Sequence, residues 1–220
     1  MVMTAMDEDV RIAMEPITLE GNLAVPLDAR GIVVFAHGSG SSRFSPRNRF
    51  VSTYLQSEGL ATLLCDLLTR EEEEIDRHTG SLRFDIDLLA GRLSGITRWV
   101  VSQRETRHLA VGYFGASTGA AAALIAETLN PGVVHAVVSR GGRPDLAGQA
   151  LGQVRAPTLL IVGGNDHQVI SINRQALELL TAKKQMVIVP GATHLFEEPG
   201  ALQAVARFSS QWFRKYLDRE

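Results

Sequence analysis

The stretch HLAVGYFGASTGAAAAL, residues 108–124, decides how the chain is read. An apolar run closes at Phe114, the pattern G-x-S-x-G follows as Gly115, Ala116, Ser117, Thr118 and Gly119, and an alanine-rich helical segment begins at once. A strand that turns so sharply into a helix holds its central serine in a strained conformation, and glycines on either side let the backbone turn without a clash. The Ser117 hydroxyl is thereby presented to solvent at the end of a strand. The blander reading, a serine that merely fills the turn and caps the helix, is weighed against what the rest of the chain supplies.

Outward from this point, apolar runs bounded by glycine or polar residues recur at 32–36, 61–68, 108–114, 133–139, 158–162 and 186–189. Continuous Val/Ile/Leu runs suit strands buried on both faces of a parallel sheet. The segments at 47–58, 84–103, 118–129, 170–180 and 201–216 read as crossover helices, and residues 10–26 read as an N-terminal hairpin. The expected fold is therefore α/β, a mostly parallel doubly wound sheet with helices on both faces. No repeat, low-complexity stretch or linker divides the 220 residues, so one domain spanning 1–220 is expected. In an open sheet of this kind ligands bind beyond the carboxyl ends of the strands, which makes the residues just after each strand the ones to inspect.

A lone serine is a poor nucleophile near neutral pH; a base must take its proton and a third group must orient that base. Two further strand ends offer both. TLLIVGGNDHQV (158–169) runs out at Asp166, and QMVIVPGATHLFEEPG (185–200) runs out at His194. Attack on a carbonyl also needs donors aimed at the developing oxyanion. GIVVFAHGSGSSR (31–43) ends a strand in His37, Gly38, Ser39 and Gly40. The backbone NH groups of Ser39 and Thr118 are the expected donors, with Gly40 as the alternative to Ser39.

The segments FAHGSGSSR, YFGASTGAAAAL, LLIVGGND and VPGATHLF, with their order Ser, Asp, His, resemble the α/β-hydrolase superfamily, and most closely its small dienelactone-hydrolase-like branch. The resemblance covers nearly the whole chain and implies a Ser117–Asp166–His194 triad, an acyl-enzyme intermediate and no cofactor. Dienelactone hydrolases carry cysteine at the turn where this chain has Ser117, so general carboxylic ester hydrolysis is the implied activity rather than a particular lactone. Members with a lid insert it after the strand that follows the nucleophile helix. Only residues 140–157 separate the strands here, which predicts an open cleft without a cap domain.

Other residues receive structural readings. His37 is expected to shape its loop through ring-to-backbone bonds, and His167 to be structural or solvent-facing. His78, His108 and His135 lack partners at metal-ligand spacing, so no metal site is expected. Cys65 reads as a small buried hydrophobe, Trp212 and Phe213 as the core face of an amphipathic helix, and Glu71 to Glu74 as either a solvated face or a helix start, with Thr69 as the candidate N-cap. Arg140 and Arg143, in SRGGRPD, sit beyond the strand after the nucleophile helix. Each is read either as a structural salt bridge or, for Arg140 first, as a clamp on a substrate carboxylate.

Composition bounds the partners. Hydrophobic residues at 45% and charged residues at 21%, with a formal charge of -2 and no Lys/Arg-rich stretch, predict a globular protein without affinity for nucleic acid. No run approaches a membrane span, and the acidic start MVMTAMDEDV does not resemble a secretory leader. Together with the single cysteine this predicts cytoplasmic residence, and the partner that the resemblance implies is a small-molecule acyl substrate. Neither glycine-rich stretch matches a nucleotide-binding loop. Rival readings are another acyl chemistry on the same residues (thioesterase, peptidase or acyltransferase) and a non-catalytic protein that uses the cleft as a ligand pocket.

Overall fold

In the computed structural model, which describes residues 4–218, eight strands form one sheet in the order β1-β2-β4-β3-β5-β6-β7-β8. β1 (Thr4–Met14) and β2 (Ile17–Pro26) make an antiparallel hairpin, and β2 joins β4 (Ala61–Cys65) antiparallel. From there β3 (Gly31–Ala36), β5 (Ala110–Ala116), β6 (Val134–Arg140), β7 (Thr158–Gly163) and β8 (Lys184–Val189) continue in parallel. This is the α/β-hydrolase arrangement that the βαβ alternation predicts, with the hairpin added at one edge.

The continuous apolar runs are explained by what lies on each face. In β3, Ile32, Val34 and Ala36 pack on one side and Val33 and Phe35 on the other, all buried. The first side is covered by α3 (Ile86–Ser102), α4 (Thr118–Leu129), the 3-10 segment Pro144–Gln153 and part of α5 (His167–Leu179). The second is covered by α1 (Pro46–Ser57) and α6 (Ala201–Leu217), whose Trp212 and Phe213 are buried as the amphipathic pattern predicts. Cys65 is buried, and among the described residues no helix is long and apolar enough to cross a membrane.

Several strand ends differ from the sequence reading, and in β4 and β5 the cause is visible in the hydrogen bonding. β4 stops at Cys65 instead of running to 68, because the Asp66 amide turns to Glu20 O and its carboxylate is taken by Arg43. β5 runs from 110 to 116 rather than 108 to 114; a turn closed by Leu109 N to Thr106 O occupies the earlier residues. The acidic run belongs to a further helix, α2 (Arg70–Thr79), whose Thr69 and Glu72 form a reciprocal capping box. Its apolar periodicity is too weak to mark it as a crossover helix. Between β6 and β7 there is only the 3-10 segment, so no cap is inserted there.

The loop after β3 is fixed at two points. Leu67 N donates to His37 Nε2 at 3.1 Å, which places the ring proton on Nδ1, 3.0 Å from Gly38 O. Arg43 binds Asp66 through both its amide (2.7 Å) and its guanidinium, and reaches Glu20 at 2.6 Å. Burial pushes the His37 imidazole below its ordinary value of 6.5, with the Gly38 carbonyl and Asp66 opposing. Folding thus disfavours the protonated ring, so this contribution to stability is complete above about pH 6.5 and declines as the pH falls below it. Titrating the imidazole by NMR should find His37 neutral at a pH where a free imidazole is half protonated; a midpoint at or above the ordinary value would show that the Leu67 bond does not hold the neutral ring. A second expectation concerns Gly119, where a Cβ would lie 2.2 Å from Ala36 O and 2.5 Å from His37 O. Backbone cannot yield as a side-chain tip can, so Gly119→Ala should lose about 3 kcal/mol or more in denaturant unfolding; a loss under about 1 kcal/mol would contradict this packing.

Candidate active site

Ser117 sits between β5 and α4 with φ 51° and ψ -122°, a region that non-glycine residues enter only when their surroundings force them. The forcing is visible. Its N–H donates to Arg140 O (3.2 Å), and its carbonyl accepts from Ala120 N (3.1 Å) and Arg143 N (3.0 Å). Gly115 and Gly119 are required by contact as well as by the turn, since a Cβ on Gly115 would come within 2.5 Å of Ala120 Cα. The hydroxyl does not cap α4, so the bland role open to a serine at this position is not taken.

Asp166 is the residue just before α5, and His194 lies in the loop between β8 and α6. They meet through His194 Nδ1 and Asp166 Oδ2 at 2.6 Å. A carboxylate only accepts, so Nδ1 carries the proton and Nε2 is left as the basic nitrogen. The two loops are tied by backbone before their side chains meet: Asn165 N donates to Ala192 O (2.9 Å) and Gly164 N to Val189 O (2.8 Å). Thr193, next to the histidine, gives its amide and hydroxyl to Glu198 Oε1 at 3.0 and 2.6 Å, and the hydroxyl bond foremost holds the Glu198 carboxyl below its ordinary range. Glu198 and Asn165, whose side chain donates to Gly191 O, are supports that the sequence reading did not identify. Acidic and amide residues are common in turns, and only the folded loops show what they hold.

The Arg140–Gly141 step of the chain lies between serine and histidine. Arg140 O receives the Ser117 amide, while a Cβ built on Gly141 would lie 3.2 Å from His194 O and 3.6 Å from its Cε1. The loop after β3 approaches from the other side: a Cβ on Gly38 would touch Ala116 O and Ser117 Cβ, each at 3.0 Å. Ser39 N lies over the start of α4 and donates to Thr118 Oγ1 at 2.9 Å. That amide is therefore engaged in this state rather than open. Thr118 begins α4, and the first amides of a helix have no intrahelical acceptor.

A cavity of about 430 Å³ opens beside the 37–42 loop, walled by Leu68 and Leu89 and by Glu73, Arg77 and Arg83. Its charged wall comes from α2 and the 3-10 turn Leu82–Phe84, where Arg83 is locked to the buried Asp76. Burial and then the Asp66 charge push the Glu73 carboxyl above its ordinary range. This wall was not legible from sequence. His37 bonds to backbone as expected and His167 is exposed. Arg143 forms the structural ion pair, with Asp145 at 2.7 Å. Arg140 does not: it is buried and, among the described residues, has no carboxylate within ion-pair distance. No three His, Cys, Asp or Glu side chains cluster so as to hold a metal ion among the described residues.

The family model described as "Dienelactone hydrolase family" matches residues 19–217. A solved structure described as a dienelactone hydrolase from Anabaena variabilis is 61% identical, with a TM-score of 0.95 over 96% of this chain and 98% of that one. Est1E from Butyrivibrio proteoclasticus, at 13% identity, shares the fold with a TM-score of 0.78 over 94% of this chain and 98% of its own. A Mycobacterium tuberculosis protein named "Putative phosphoribosyl transferase" is 57% identical over 212 residues, 96% of this chain and 47% of that protein. The chain thus spans about half the length of the curated relatives it matches. A family match over nearly the whole sheet, together with high identity across 96% of the chain, means that this protein belongs to the dienelactone hydrolase family.

Proposed function

We propose that the protein is a serine hydrolase that cleaves carboxylic esters through Ser117, His194 and Asp166. The observation that carries this reading is the strained serine at the β5–α4 turn, together with a histidine whose proton is fixed on Nδ1 by Asp166 and whose loop packs on the Arg140–Gly141 step. His194 Nε2 takes the proton of Ser117 as its oxygen attacks the ester carbonyl, and Asp166 stabilises the imidazolium that results. The backbone NH groups of Thr118 and Ser39 bind the oxyanion, with Gly40 as the alternative to Ser39; for Ser39 this requires exchanging or sharing its bond to the Thr118 hydroxyl. Collapse returns the proton to the leaving alcohol and leaves an acyl-serine, which water, activated by the same histidine, hydrolyses. The cavity beside the 37–42 loop receives one side of the ester. No cofactor takes part in these steps. The name carried by the mycobacterial relatives describes chains about twice as long, and this reading rests on the Ser117 turn instead.

Thioester, amide or acyl-transfer chemistry would use the same residues and differ only in the acceptor or leaving group. A ligand-binding protein without catalysis would have no need of a strained serine.

Intact-mass measurement after exposure to a fluorophosphonate should show one adduct on the native protein and none on Ser117→Ala. A folded native protein that takes no adduct would remove the hydrolase reading. On a neutral activated ester, Asp166→Asn should lower kcat by about 10³–10⁴-fold, because the imidazole is left in the wrong tautomer; a loss under tenfold would take Asp166 out of the mechanism.

A further inference from the structure

Arg140 is the one site residue whose surroundings do not account for it. Its side chain is 7% exposed, its Nε is buried without a hydrogen-bond partner, and its Nη2 makes a single long bond, 3.4 Å, to Asn48 Oδ1 in the first turn of α1. The charge that acts on it has the same sign. Arg47 opposes the Arg140 cation and has a buried, unpartnered Nε of its own; its guanidinium is held at 3.2 Å only by Glu197, whose side chain is 65% exposed. The Phe196 ring lies 5.9 Å from the Arg140 head group and compensates part of one charge. Burial foremost, and Arg47 next, bring the guanidinium down to about 10, which leaves it charged at neutral pH. A buried cation without a counterion is expensive, and proteins normally supply a carboxylate. Here a carboxylate is supplied to Arg47 and none to Arg140.

The position of this unpaired cation is specific. The same residue's carbonyl accepts the Ser117 amide, and the residue after it packs against His194. Its side chain leaves the sheet toward α1, on the face opposite the one that carries Leu89 and the cavity of about 430 Å³. We propose that Arg140, with Arg47 and Asn48 at the start of α1, forms a subsite for a phosphate group carried by the substrate. Two guanidinium groups, each with a buried unpartnered Nε, face a single carboxylate that is 65% exposed and screened by water, so more positive charge is left than a substrate carboxylate cancels. Donors arriving from β6 and from α1 suit an acceptor with three oxygens better than a planar one with two. The phosphate is a handle only. Water adds hydroxide to the acyl carbon and a proton to the departing alkoxide, and no bond to phosphorus is made or broken. This deepens the ester hydrolase reading and rests on it for the word substrate, while the binding itself does not depend on turnover.

The test uses the full chain and inorganic phosphate as probe, by calorimetry at constant ionic strength, with acetate as the carboxylate control. Phosphate should bind the native protein and Ser117→Ala alike, acetate at least tenfold more weakly, and Arg140→Gln should weaken phosphate at least tenfold. Because a change at a buried site can alter folding, Arg47→Gln serves as the second variant and should weaken phosphate about threefold or more. Bound phosphate should raise KM for a neutral ester without lowering kcat. Phosphate binding unchanged in both variants, acetate binding as tightly as phosphate, or bound phosphate without effect on KM would each overturn the proposal. A protein that binds phosphate as described but takes no fluorophosphonate adduct would defeat the hydrolase reading and leave the anion site standing, so the two failures are distinct.

Discussion

The arrangement at the carboxyl edge of the sheet depends on how closely the first turn of α4 approaches the end of β3. With a hydrogen in place of a side chain at position 119, the carbonyls of Ala36 and His37 lie almost against the helix. That approach sets three things at once. It compresses the β5–α4 turn so that Ser117 takes positive φ, it places the loop after β3 within contact of the serine, and it brings the Thr118 hydroxyl under the Ser39 amide. A looser approach would relax the serine and open the loop together. The energy for holding such a strained residue comes from elsewhere, from strands buried on both faces and from the Arg43, Asp66 and His37 contacts that stop the loop from drifting.

The histidine arrives by a different route. Its loop crosses from β8 to α6 over the ends of β7 and β6, and its path is set by backbone bonds and by Glu198, before any contact with Asp166. Ser117 and His194 are thus carried by separate supports that meet at the Arg140–Gly141 step. Holding each group with its own supporting bonds is what keeps catalytic geometry precise when it is built on loops. The same separation explains the different character of the two sides of the site. Toward α3 there is a partly apolar cavity with ionic walls, and toward α1 there is an unbalanced guanidinium.

Much of this could be read from the sequence because the informative signals were local. Apolar runs at strand length gave the sheet, and a serine between two glycines at a strand-to-helix junction gave the turn. Asp166 and His194 were identifiable because strand ends are where an open sheet places its ligands. What escaped depended on contacts between segments distant in the chain. Nothing local marks Arg140 as unpaired, since absence of a partner is a property of every element around it. The wall contributed by α2 escaped because its highly charged sequence lacks an apolar stripe and reads as solvated. The end of β4 was misplaced by three residues because the Glu20 carbonyl and Arg43, which capture Asp66, lie more than twenty residues away.

The hairpin at the sheet edge has a consequence for how copies of the molecule behave in a crowded solution. An edge strand presents unpaired amides and carbonyls to any other strand that approaches, and β1 is eleven residues long. Asp7, Glu8 and Asp9 follow one another along its exposed length. Any second β1 approaching in register would bring like charges into opposition, and their hydration would have to be stripped as the strands closed. The strand that extends the sheet thus also discourages its growth into a fibre.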